Sequence, residues 1–80
     1  MAVLIILKIM KKNSDLKKLG ANIAKLRKNS GISQDDLALE AEIGRRTVER
    51  LEVGETDVRF TTLVKIAKVL NVDVKVLVDF

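Results

Sequence analysis

Apolar and polar positions change their period along the chain. Ala2 to Leu7 is an unbroken apolar run, rich with Ile9 in Val and Ile. Its β-branched content allows a short strand over about 2–9, which must pair or be covered. From Ser14 the period becomes helical, with Leu16, Leu19, Ile23 and Leu26 on one stripe. This predicts a first helix over roughly Asp15 to Asn29, opened by Ser14 and closed at Gly31. Ser33 opens a second helix, with Asp36 three residues on as an acidic variant of the capping box. Its inner face is Leu37, Ala38 and Ala41.

Glu42, Ile43 and Gly44 separate that helix from the next. Gly44 can serve as an N-cap, Val48 and Leu51 are the inward positions of a third helix, and Gly54 stops it. Two short helices joined so tightly cross steeply, in a helix-turn-helix arrangement. After a loop over "TDVRF", the run "FTTLVKIAKVL" puts Phe60, Leu63, Val64, Ile66, Ala67 and Leu70 on a broad apolar face of a fourth helix. Asn71 suits a left-handed end. "DVKVLVDF" reads two ways. Asp73 could cap a short fifth helix, or the alternating Val74, Val76 and Val78 could form a strand beside the N-terminal segment.

Composition narrows the chemistry. There is no Cys, which excludes disulfides and thiolate metal sites, and no His, the commonest general base and metal ligand. The remaining Asp, Glu, Lys and Ser form no pattern of a catalytic site, and no glycine loop cradles phosphate. No enzyme activity, cofactor or metal is therefore expected. The first apolar run is far shorter than the ~20 residues that span a bilayer. It lacks the cleavage pattern of a signal peptide, so a cytoplasmic location is expected. "MKKNSDLKKLG", from Met10, would itself make an ordinary domain start. The chain divides accordingly into an apolar extension over 1–13 and a single domain over 14–80.

The formal net charge is +4, and its distribution says more than its sum. Lysines crowd the first 28 residues, where "KKNSDLKK" reads as a solvated surface. Arg45, Arg46 and Arg50 fall within the third helix, interleaved with acids. Packing Val48 and Leu51 inward turns Arg45, Arg46, Thr47, Glu49 and Arg50 outward, on a helix of a size that fits a DNA major groove. Glu49 has two readings, as an acceptor for a cytosine amino group or as the partner of Arg45 at i, i+4.

The segments "LGANIAKLRKNSGISQDDLA", "TVERLEVGE" and "FTTLVKIAKVLNVDVKVLVDF" together resemble the Cro/C1-type (XRE) helix-turn-helix family of bacterial and phage DNA-binding regulators. The resemblance implies an all-α, compact, five-helix, lambda-repressor-like domain. It also implies a homodimer that binds double-stranded DNA in a specific sequence and regulates transcription. Base reading would fall to Arg45, Arg46 and, one turn later, Glu49 or Arg50. Phosphate or minor-groove contacts would fall to Gln34, Thr47, Arg59, Thr61 and Thr62. In the family's pattern Arg27 and Glu52 form a buried structural ion pair. The sequence departs from that pattern at the turn, where the usual order is Gly, an apolar residue, then Ser or Thr. If Glu42 takes the left-handed conformation, it carries a strain of ~1 kcal/mol. Leu4, Ile6, Val76, Val78 and Phe80 offer more apolar surface than so small a monomer hides, and they are the expected dimer interface. The alternative is an antitoxin-like module whose main partner is a protein docked on those apolar termini.

Overall fold

A computed structural model of the chain describes the backbone of residues 2–80 and the side chains of residues 14–80. Five helices follow one another: α1 (Ala2–Asn29), α2 (Gln34–Ala41), α3 (Arg45–Glu52), α4 (Phe60–Leu70) and α5 (Val74–Leu77). There is no strand among the described residues. The all-α, five-helix architecture expected from the sequence is the one observed.

The N-terminal strand over about 2–9 is not formed. Those residues are the opening turns of α1, which runs on through Ser14 rather than starting there. The physical reason lies at both ends of the chain. A strand needs a partner for its backbone groups, and the segment proposed as partner is itself helical at Val74–Leu77. No Pro occurs in the chain and no Gly before Gly20, so nothing breaks the helix in between. The two side chains in this stretch assigned to a dimer surface, Leu4 and Ile6, lie outside those described.

Helix ends are set by one recurring device. After α1, α2, α3 and α4 the chain turns through a left-handed residue: Gly31, Glu42, Gly54 and Asn71. At each end the next amide reaches back to a carbonyl five residues earlier: Ile32 to Arg27, Ile43 to Ala38, Glu55 to Arg50 and Val72 to Ala67. This is the Schellman closure. Glycine takes that conformation freely and Asn tolerates it, whereas Glu42 adopts φ 57° against a Cβ penalty. The turn departs from the family's pattern as expected, and its backbone keeps the left-handed geometry. Ile32, Ile43 and Val72, each just past a helix end, pack against the core and help to hold these closures.

The core is a single cluster. Leu19 and Ile23 of α1 meet Leu37, Ala38 and Ala41 of α2, Val48 and Leu51 of α3, Leu63, Ile66, Ala67 and Leu70 of α4, and Leu77 of α5. Each large aliphatic side chain buried in this way contributes about 1.5–3 kcal/mol. Ser33 caps α2 by accepting from the Asp36 amide at 3.0 Å, as its position predicts. Gly44 and Asp73 stand at the N-caps of α3 and α5 without side-chain cap bonds. Asn22 of α1 donates to the carbonyls of Val76 and Leu77 at 2.9 and 2.8 Å, tying α5 to α1. Phe60, expected on the inner face of α4, is instead 68% exposed. It is the first residue of its helix, and the buried stripe begins one turn later, at Leu63.

Candidate nucleic-acid interface

The aim of α3 follows from what it buries. Val48 is 0% and Leu51 1% exposed, and both face the core. With that face fixed, Arg45, Arg46, Thr47, Glu49 and Arg50 are all exposed. Arg45, Arg46, Glu49 and Arg50 line one open depression, together with Val53 and Glu55.

The three arginines are not equivalent. The Arg45 Nε lies 3.2 Å from Glu49 Oε1, the i, i+4 pair anticipated from the sequence, and 3.0 Å from Asp35 Oδ1 of α2. Neither Arg46 nor Arg50 has an ion pair or side-chain hydrogen bond among the described residues. Two guanidinium groups thus stand free on the outer face of α3, and a third is flanked by carboxylates.

Behind this face sits a buried polar network. Arg27 Nε donates to Glu52 Oε2 at 2.7 Å, and Nη2 donates to Oε1 at 3.1 Å. The remaining terminal nitrogen, Nη1, donates to the Ile32 carbonyl at 2.9 Å. Arg27 and Glu52 are both buried. Gln34 joins them, its Nε2 donating to Glu52 Oε1 at 2.9 Å. Placed in the first turn of α2 as a candidate phosphate contact, Gln34 is half-buried and spends one amide N–H on this carboxylate. An amide has two such N–H groups, so one remains. No buried side-chain polar atom among the described residues lacks a partner.

The other candidate contacts lie along the same edge. Thr47, Thr56, Asp57, Val58, Arg59 and Thr62 line a smaller groove, floored by Leu51, between α3, the loop and α4. Arg59 is the N-cap residue of α4 and makes no side-chain cap bond. Arg59 and Thr61 are exposed, and Thr62 is half-buried. At the far end of the chain Val78 and Phe80 are exposed and Val76 is half-buried, while Leu77 is the residue that packs into the core.

Three features that matter here escaped the sequence reading. Asp35 pairs with an arginine on the next helix, a relationship that no periodicity displays. The bond from Gln34 to Glu52 likewise depends on how two helices cross. Gly20 sits where α1 meets the end of α3, and a Cβ there would lie 2.1 Å from the Leu51 carbonyl oxygen. The signal available for Gly20 was a lone glycine inside a helical pattern, which often marks close packing.

Among the described residues, no group of His, Cys, Asp and Glu could hold a metal ion, and no helix is long and apolar enough to cross a membrane. A family model described as helix-turn-helix matches residues 23–77. Among solved structures, the restriction-modification controller protein C.AhdI from Aeromonas hydrophila is similar, with 31% sequence identity and a TM-score of 0.79. That match covers 80% of this chain and 97% of that one. No curated protein matches the chain.

Proposed function

The chain belongs to the helix-turn-helix family of Cro/C1-type DNA-binding regulators, and from that premise we propose that it binds double-stranded DNA sequence-specifically as a homodimer, with α3 reading the major groove. The observation that carries the reading is the orientation of α3: Val48 and Leu51 are buried and the arginine face is open. A major groove about 12 Å wide admits such a helix, and Arg forks onto guanine O6 and N7. Arg46 and Arg50 are the primary base readers on this view, with Arg45 beside them. Glu49 serves by pairing with Arg45 rather than by accepting from cytosine, because its carboxylate already lies against that guanidinium.

Arg59, Thr61, Thr62 and Thr47 contact phosphates or the adjacent minor groove and fix the register of α3 without reading sequence. Gln34 adds its remaining N–H to a phosphate while Glu52 holds the amide in place. One domain of this size buries too little to bind tightly alone, and a two-fold dimer reads two half-sites about one helical turn apart. The exposed Val78 and Phe80, with Val76, Leu4 and Ile6, are the proposed dimer surface. The similarity to a restriction-modification controller fits a prokaryotic or phage transcriptional regulator.

Selection of binding sites from random duplexes tests this. The expected product is a pair of related half-sites, inverted and about 10 base pairs apart centre to centre. A folded protein that enriches no sequence overturns the reading.

A further inference from the structure

We propose that Asp35 is a specificity-determining positioning residue, which together with Glu49 holds the Arg45 guanidinium in place to read a guanine. The proposal rests on the reading of α3 as the base-reading helix.

The geometry that carries it is a contact across the turn. Asp35 Oδ1 of α2 lies 3.0 Å from Arg45 Nε, and Glu49 Oε1 of α3 lies 3.2 Å from the same nitrogen. Arg45 is the first residue of α3 and its side chain is 61% exposed, so little packing restrains it. Two carboxylates on two different helices supply that restraint. Both approach closest to Nε, on the stem side of the guanidinium. The Nη edge carries the other four of the five N–H donors. That edge is sufficient to fork onto guanine O6 and N7. An arginine restrained before binding gives up less side-chain freedom on reaching the base.

The same carboxylates act a second time. A duplex that offers no guanine opposite Arg45 still brings its phosphates near Asp35 and Glu49, and this repulsion goes uncompensated. Specificity then gains from a weakened wrong complex as well as from a strengthened right one. Arg46 and Arg50 have no such neighbours among the described residues, so the device singles out Arg45.

The test uses the full chain, a labelled duplex selected by the wild type from a random library, and a scrambled duplex of equal length. Asp35→Asn removes the charge and keeps the shape at a side chain that is 64% exposed, so the fold survives the change. It is expected to lower the ratio of the two affinities roughly one-and-a-half- to fivefold, as befits an exposed pair. The scrambled duplex should bind at least as tightly as before. In an Arg45→Ala background, Asp35→Asn should leave the ratio unchanged, which a merely structural role would not produce. Equal gains on both duplexes, or a loss that persists without Arg45, overturn the inference and leave the reading of α3 standing. A wild type that selects no sequence overturns both, and does so before any variant is made.

Discussion

Gln34 and Glu52 are joined at 2.9 Å, so the first turn of α2 is tied to the last residue of α3. The same carboxylate takes both ends of the Arg27 fork from α1. Three helices therefore converge on one buried acid, and the angle between α2 and α3 is set partly by hydrogen bonds, which are directional, as well as by aliphatic packing. The aim of the arginine face depends on that angle.

Breaking the network from one side should be costly. Arg27→Met leaves Glu52 buried with only the Gln34 amide, and removing one partner of a buried pair costs about 3–5 kcal/mol. For a domain of this size each kcal/mol shifts Tm by about 4–8 °C. A thermal melt followed by circular dichroism should therefore fall by roughly 12–40 °C. Adding Glu52→Leu removes the orphaned charge and should recover much of the loss, because apolar replacements of buried pairs are often close to neutral. A double variant no more stable than Arg27→Met would mean that the carboxylate was not the source of the instability.

Glu42 offers the opposite experiment. It closes α2 at φ 57°, where Gly31 and Gly54 do the same work after α1 and α3. Glu42→Gly should stabilise the chain by about 0.5–1 kcal/mol, since the relief of the left-handed strain exceeds the entropy that glycine adds to the unfolded chain. Asn71→Gly should change stability less, because Asn accepts this conformation more readily. Chemical denaturation of the two variants side by side decides it, and a destabilised Glu42→Gly would sink the strain argument.

What the sequence disclosed follows from which forces are local. The burial of Val48 and Leu51 is legible because a helical period records which side faces the core. Asn71 is legible because Asn tolerates the left-handed end of a helix, and Glu42 because the resemblance puts a left-handed residue at that point of the turn. The choice of helix over strand for Val74–Leu77 was open, and Asn22 bears on it from far away in the chain by satisfying the carbonyls of Val76 and Leu77. The strand expected over about 2–9 rested on β-branched content, a weak preference that yields where no partner strand exists. Asp35 beside Arg45, and Gln34 on Glu52, depend on how helices cross, and that information is not carried by any single window of residues.

Gly20 tests the crossing itself. A methyl group there would meet the carbonyl oxygens of Leu51 and Glu52 at 2.1 and 2.7 Å, backbone atoms that cannot swing aside as a side chain would. Gly20→Ala improves helix propensity by about 1 kcal/mol, yet the overlap should outweigh it, for a net loss of about 1–3 kcal/mol as α1 and α3 are forced apart. Denaturant unfolding should give a lower midpoint with an unchanged slope. A variant more stable than the parent would show that close approach of α1 and α3 at Gly20 is not what the fold requires.

Arg46 and Arg59 separate reading from holding. Arg46 stands free on the outer face of α3, whereas Arg59 stands at the N-cap of α4, on the edge assigned to the backbone. Arg46→Ala should therefore weaken binding to the selected duplex by about 1–3 kcal/mol and relax the preference at one base pair, while scrambled duplex is bound nearly as before. Arg59→Ala should weaken both duplexes by the same factor and lower the salt dependence of binding by about one unit of slope. Fluorescence anisotropy titrations over a range of salt concentrations measure both quantities. If the two variants behave alike, losing affinity without losing preference, then Arg46 meets phosphate rather than base, and the reading surface lies further along α3, at Arg50.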